Sequence, residues 1–398
     1  MNYDDFDQRE KLEQSRRRAR NEAQRKKQRQ KLMIKRATII IVMLAILGLV
    51  VFLLITLGKA IFAPKENAAT PDESVVTATE AAKPEIVFNT PEIPDDKKTT
   101  GNYSSNNGGV YIYNKTAFEL FGGSEDSAQY YADAISEFKQ KAGDDITVYN
   151  MVVPNHTEFG LPRRLIEDGT VSTQIQADNI KEIYNRYSAD VVPINCYNKL
   201  SEHVKDYIYF NTDHHWTGLG AYYAYSAFCE QTDQKMLNLD VCTEHTIEGF
   251  EGSLIDNDAS LRDNLDTVHF WTFPYETYAM RTDNMGEQPY ETSVLYEEEG
   301  SGPYSYGVFI WGDGPLFVEY NKDLSNGKKI AIVKESYGNA MAPFFTANYE
   351  ETHVIDFRYY SGSLAEYCKD NGINEVLFIN NVMAANTAMQ VDRIRSIF

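Results

Sequence analysis

Residues 37–57 form an apolar run that carries no charge and is interrupted only by two threonines and a glycine. Roughly 20 such residues, each rising about 1.5 Å as a helix, match the ~30 Å hydrocarbon thickness of a bilayer. The expected element is one transmembrane helix, which splits the chain between two compartments. A cleaved signal peptide would have an apolar core of only ~7 to 15 residues and a short basic lead-in. Here 36 residues precede the run, and no clear small-residue cleavage site follows it.

Charge fixes the orientation. Residues 1–36 hold 13 Lys+Arg against 6 Asp+Glu, a net of +7; the formal −20 of the whole chain less this +7 leaves −27 on the remainder. The positive-inside rule places 1–36 in the cytoplasm and the chain from about Lys59 outside. The basic clusters at 16–20 and 25–31 then serve topology and attraction to anionic headgroups, at about 1 kcal/mol per basic residue. The expectation is a single-pass protein of the cell membrane, with the bilayer as partner through 37–57 and no nucleic-acid partner.

Residues 58–107 include Pro64, Pro71, Pro84, Pro91 and Pro94 among many Ala, Thr, Glu, Asn and Ser. Such a segment buries too little apolar surface to offset its ordering entropy, so a flexible stalk is expected. Residues 108–398 read as the folded domain. Apolar runs at 146–153, 190–194, 329–333, 353–356 and 375–379 suit strands buried on both faces, hence a parallel sheet. Helical stretches at 128–142, 174–187, 222–231 and 363–371 alternate with them, which predicts an α/β, doubly wound fold. About 240–326 breaks the rhythm: runs at 267–273, 293–297 and 307–311 between Gly and Asn/Asp turns predict a β-rich insertion over the sheet edge. Cys196, Cys229, Cys242 and Cys368 all lie in this outer part. An even count permits two disulfides, with Cys229–Cys242 the first pair to consider and four buried thiols the alternative.

Chemistry concentrates in two places. In Thr212-Asp213-His214-His215-Trp216-Thr217-Gly218, polar loop residues lead into a helix that Thr217 can cap. Asp213 and His215, two apart in an extended turn, can face the same way, so the carboxylate can bind one imidazole nitrogen and leave the other to act as a base. Such a pair needs a nucleophile. Ser336 follows the apolar strand 329–333 at the carboxyl end, where open α/β sheets place their sites, and precedes a helix start whose free N–H groups, around Gly338, can stabilise an oxyanion. The bland alternatives are a capping Asp, a hydrogen-bonded core histidine and a helix-capping serine. A metal reading of Asp213-His214-His215, as in a metal-dependent hydrolase, would need further ligands, and the remaining histidines show no metal-ligand spacing. Gly312-Asp313-Gly314 reads as a turn. Nothing predicts a cofactor.

Several blocks together resemble the bacterial DHHW protein family: TDHHWTGLGAY at 212–222, VVPN at 152–155, GFEGSL at 249–254, VFIWGDGP at 308–315, KESYGNAMAPFF at 334–345 and VIDFRYY at 354–360. The family is similar to the alginate O-acetylation proteins and to SGNH-hydrolase-like folds. The resemblance implies an Asp-x-His pair at Asp213 and His215 and a serine at Ser336. Because the pair precedes the serine, it also implies a circularly permuted arrangement. Asn381 or Asn380 stands where related enzymes place an oxyanion-hole asparagine, and Trp216, Tyr337 and Arg358 fall where they would line or brace the site. Lys334-Glu335 replaces the usual Gly-Asp before the serine, and no Gly-x-Asn-Asp block is present. The function implied is a serine O-acetyltransferase or esterase acting on a cell-surface polysaccharide, served by a membrane-embedded acyl-transfer protein. The alternative is an inactive glycan-binding or envelope assembly protein that retains the fold.

Overall fold

A computed structural model describes residues 86–296 and 302–398. The apolar run at 37–57 lies outside the described residues, and among those described no helix is long and apolar enough to cross a membrane. A small antiparallel sheet opens the domain, with β1 (Asn102–Tyr103), β2 (Val110–Tyr113) and β3 (Thr116–Glu119) in sequence order. Next come helix α1 (Glu125–Ala142), strand β4 (Thr147–Val153), helix α2 (Gln176–Asn185), strand β5 (Val191–Pro193), helix α3 (Cys196–Glu202) and helix α4 (Gly218–Gln231). Helix α1 starts where Ser124 accepts a hydrogen bond from Ser127 N, with Glu125 and Asp126 in its positive first turn, and stops at Gly143, whose φ of 79° needs glycine.

The insertion supplies β6 (Thr243–Phe250), β7 (Asp266–Thr272), β8 (Thr277–Thr282), β9 (Tyr290–Thr292) and β10 (Leu316–Asn321). The chain closes with β11 (Lys329–Lys334), the short helix α5 (Tyr337–Met341), β12 (Glu351–Asp356), helix α6 (Leu364–Asn371), β13 (Glu375–Asn381) and helix α7 (Ala388–Arg395).

Eight strands form one sheet in the order β5-β4-β13-β11-β12-β10-β8-β9. The first five pair in parallel, and they are the five apolar runs read from the sequence. β11, β12 and β13 are buried nearly end to end, as central parallel strands must be. The last three strands pair antiparallel. The insertion therefore extends the sheet itself, and its remaining strands β6 and β7 form a separate ribbon. The architecture is mixed α/β with a largely parallel sheet.

Three expectations change. Residues 307–311 are not a strand: the segment is a 3-10 turn followed by Ile310 and Trp311 at φ 49° and 62°. Their aromatic and β-branched composition suggests a strand, but positive φ cannot continue one. All four cysteines are free. Cys229 packs beside Asn348 while Cys242 caps onto the Asn238 carbonyl, so the pair nearest in sequence is not a bridge. The packed chain also begins before residue 108. Phe88 meets the Tyr197 ring edge-on at 5.0 Å, Asn89 N donates to Asn198, and Asp95 pairs with Arg164 at 3.0 Å.

Register places the site. Lys334 stands opposite Asp356 on β12 and Ile379 on β13, so three parallel strands end at one level. The residues two positions beyond that level, Ser336 and Arg358 just past their strands and Asn381 at the end of β13, follow along a single rim.

Candidate active site

Ser336 follows β11 with helical backbone angles and makes no side-chain cap, so its hydroxyl is not spent on the helix. His215 Nε2 lies 2.7 Å from Ser336 Oγ, and His215 Nδ1 lies 2.5 Å from Asp213 Oδ1. Two segments 121 residues apart thus meet in one hydrogen-bonded relay. The carboxylate is fully occupied: Oδ1 also accepts from His215 N at 3.0 Å and Oδ2 from Ser253 N at 2.7 Å. Burial would raise the Asp213 pKa, but His215, His214 and the Ser253 N–H outweigh it and hold the carboxyl well below its usual range. Asp213 is ionised wherever the imidazole could need it.

The loop that carries this pair is clamped from the insertion. Asp266, buried at the start of β7, accepts from Thr212 N at 2.8 Å, Thr212 Oγ1 at 2.5 Å and Asn211 N at 2.7 Å, and also from the Tyr207 hydroxyl. Gly252 N donates to Thr212 Oγ1, and Leu254 N to the Thr212 carbonyl. Thr217 caps α4 by accepting from Gly220 N, as its sequence position predicts. Tyr306 stacks on the His215 imidazole, with centroids 4.0 Å apart and planes at 13°, and its hydroxyl donates to Ser336 O. The ring lies across the imidazole like a lid and fixes its plane.

Glu335 ties the nucleophile to the neighbouring strand end. Its carboxylate accepts from Asn381 N at 2.9 Å and Tyr337 N at 3.2 Å and lies 3.4 Å from Ser336 Oγ. Burial raises its pKa against the pull of these donors and of Arg358. Below it, buried Lys334 pairs with Asp356 at 2.9 Å, and Arg358 donates to both Asp356 oxygens and pairs with Asp313 at 2.8 Å. Asp313, read as a turn residue, is therefore part of this network. Burial alone would raise its carboxyl, and Lys334 and Arg358 hold it low instead.

The remaining sequence candidates separate cleanly. Asn381 caps the turn after β13 through Met383 N and is joined to the site by Glu335. Asn380 points to the other face, where its side chain accepts from the Tyr131 hydroxyl at 2.6 Å; strand alternation forbids both from serving the site. The N–H of Gly338 is taken by Glu335 O at 3.0 Å. Trp216 and Tyr337 are buried braces: the indole donates to Tyr337 O, and the phenol donates to His214 O. Arg358 is engaged by Asp356 and Asp313 and is not in the cleft lining. Tyr306, Asp266 and Ser253 were missed because each acts through contacts distant in sequence; Glu335 was noted beside the serine, but its bond to Asn381 N, 46 residues on, was not legible.

A cleft of about 760 Å³ opens onto Asp213, His214 and His215. Those three residues are also the one group among the described residues whose ligand atoms come close enough for a metal ion, all within 4.8 Å of one another. His215 Nδ1 and Nε2 are both committed to the relay, and His214 Nδ1 to Ser253 Oγ at 2.7 Å.

The class is that of a mixed α/β protein with a largely parallel sheet, in which a serine, an imidazole and a carboxylate are hydrogen-bonded in series at one rim. Residues 63–355 match the DHHW protein family, and the chain belongs to that family. A solved DHHW family protein from Eubacterium siraeum DSM 15702 is similar over 74% of this chain and 98% of its own, with 29% identity and a TM-score of 0.67. Bacillus cereus PatB1 with a sulfonyl adduct is similar over 71% of this chain and 96% of its own, with 19% identity and a TM-score of 0.58. A looser likeness, with 13% identity and a TM-score of 0.41 over 75% of this chain and 99% of the other, extends to the O-acetyltransferase domain of Pseudomonas putida AlgJ. No curated protein matches the chain.

Proposed function

We propose that the protein is a membrane-anchored, extracytoplasmic serine O-acetyltransferase or esterase of a cell-envelope polysaccharide, on a circularly permuted SGNH-type fold held to the bilayer by residues 37–57. The observation that carries this is the pair of contacts, 2.7 Å and 2.5 Å, linking Ser336 to His215 and His215 to Asp213. Ser336 Oγ attacks the acyl carbonyl carbon while its proton passes to His215 Nε2; Asp213 stabilises the imidazolium. His215 returns the proton to the departing group and leaves an ester on Ser336. A sugar hydroxyl, or water, then attacks that ester, gives its proton to His215, and carries the acyl group away as Ser336 regains its hydrogen. Ser336 N–H and the side-chain NH2 of Asn381, whose own backbone N–H is held by Glu335, are the donors assigned to the oxyanion. Acyl groups reach this side through a membrane-embedded acyl-transfer protein.

The full-length chain in detergent is to be assayed for p-nitrophenyl acetate hydrolysis and for labelling by a sulfonyl fluoride. Ser336→Ala and His215→Ala are expected to lower the rate by roughly a thousandfold or more and abolish labelling, and Asp213→Asn by roughly a hundredfold or more. Equal rates in all four proteins would leave only the inactive glycan-binding or assembly reading. The metal-dependent reading, which the Asp213-His214-His215 cluster alone favours, predicts loss of activity to a chelator.

A further inference from the structure

The cleft that Asp213, His214 and His215 line has a composition that selects its occupant. Phe250, Tyr296 and Trp311 are the aromatic residues that line it, Phe250 from a buried position, Glu251 and Asp256 line it with carboxylates, and among the described residues no lysine or arginine lines it. Arg262, beside it, is turned back onto Asp256 at 2.7 Å. Its volume of about 760 Å³ is that of an organic-ligand pocket, typically ~300–1,000 Å³.

The aromatic wall is maintained against backbone strain. Ile310 and Trp311 lie at φ 49° and 62° ahead of Gly312 at 76°. A β-branched residue followed by a tryptophan in left-handed geometry persists only where the surroundings enforce it, and such strain collects at ligand sites. Arg281 enforces it here, donating from Nη1 to the Ile310 and Trp311 carbonyls at 3.1 Å each and from Nη2 to Asp313 O at 3.3 Å. The indole N–H is pinned to Ser293 O at 3.0 Å, and the Tyr296 ring sits 4.2 Å from the Trp311 ring.

We propose that Trp311 and Tyr296 are the stacking platform for the acceptor sugar, and that Glu251 and Asp256 restrict that sugar to one without negative charge: a neutral or amino-bearing pyranoside, not a uronate or a sugar phosphate. This rests on the acyl-transfer reading, which makes the occupant an acceptor. The apolar face of a pyranose ring packs on aromatic faces, and an ammonium substituent gains further from the rings and the carboxylates. A uronate in the same place meets the Glu251 carboxylate, and Asp256 beside it is already paired with Arg262, so no cation in the lining is left to receive a second negative charge.

The test uses full-length Ser336→Ala protein in detergent and calorimetric titration with a glucosamine tetramer, a neutral glucose tetramer and a galacturonate tetramer. The first two are expected to bind at least roughly tenfold more tightly than the third, a difference of about 1.4 kcal/mol. Trp311→Ala is expected to weaken both by roughly tenfold, and Trp311→Phe to restore most of the loss. Glu251→Gln with Asp256→Asn, at exposed positions, should bring the galacturonate within roughly threefold of the neutral tetramer, and keeps the test open if Trp311→Ala does not fold. Galacturonate binding as well as the others, no binding by any of the three, or indifference to both sets of substitutions overturns the proposal. Because these are affinities of a protein without Ser336, they stand or fall apart from the acetate-hydrolysis result.

Discussion

A methyl group at position 252 would lie 2.3 Å from Asp213 Cβ and 2.4 Å from the Thr212 carbonyl oxygen, so only glycine lets the 251–253 segment lie against the acid–base loop. Gly252→Ala must displace Asp213, and misplacement by an ångström at a relay costs roughly a hundredfold. The expected outcome is such a drop in acetate hydrolysis with the far-UV spectrum retained; unchanged turnover would show that the loop yields harmlessly. The sequence singled out Asp213, His215 and Ser336 because each residue type carries its chemistry visibly, and a local motif or strand end framed each. It was silent on Gly252's role, on Asp266 beneath Thr212 and on Tyr306 over the imidazole. Those roles arise from proximity in space, which no spacing along the chain encodes.

At the scale of strands, buried charge separates two cases. Asp356 is fully buried between Lys334 and Arg358, and Asp356→Ala would leave these two cations to share the single carboxylate of Asp313. Breaking such a pair from one side typically costs about 3–5 kcal/mol, measurable as a lower denaturant midpoint. Glu319 on β10 is the opposite case: it is fully buried, and neither carboxylate oxygen has a partner among the described residues. Burial raises its pKa well above the ordinary 4.5. Below pH 4.5 the folded and unfolded states both hold the proton. Above it the unfolded chain releases the proton and the folded one cannot, so this residue's contribution falls as pH rises. Glu319→Met is expected to raise the thermal midpoint, and more at pH 8 than at pH 5; an unchanged midpoint would mean that the carboxyl has a partner such as a buried water. The five parallel strands were legible because burial on both faces forces continuous Val/Ile runs. The antiparallel extension by β8, β9 and β10 was read only as cover for the edge, since half-exposed strands show neighbours on one face and not which sheet they join.

For the whole molecule, the segment before residue 108 is the informative departure from expectation. Its prolines and polar residues predict a free tether, yet from Ile86 it lies along the domain, pairs β1 with β2 and engages Tyr197, Asn198 and Arg164. A few well-placed contacts outweigh an unpromising composition. A chain starting at 108 is expected to melt roughly 5 °C below one starting at 83, and coincident melting curves would show that this strap adds nothing. The strand order carries one more consequence. β13, the last strand in chain order among the described residues, occupies the middle of the sheet between β4 and β11. This sheet therefore cannot close vectorially as the chain emerges: β4 and β11 have no common neighbour until β13 arrives between them. A premature stop that removes only the last two dozen residues would leave no smaller folded domain, but a sheet split down its centre.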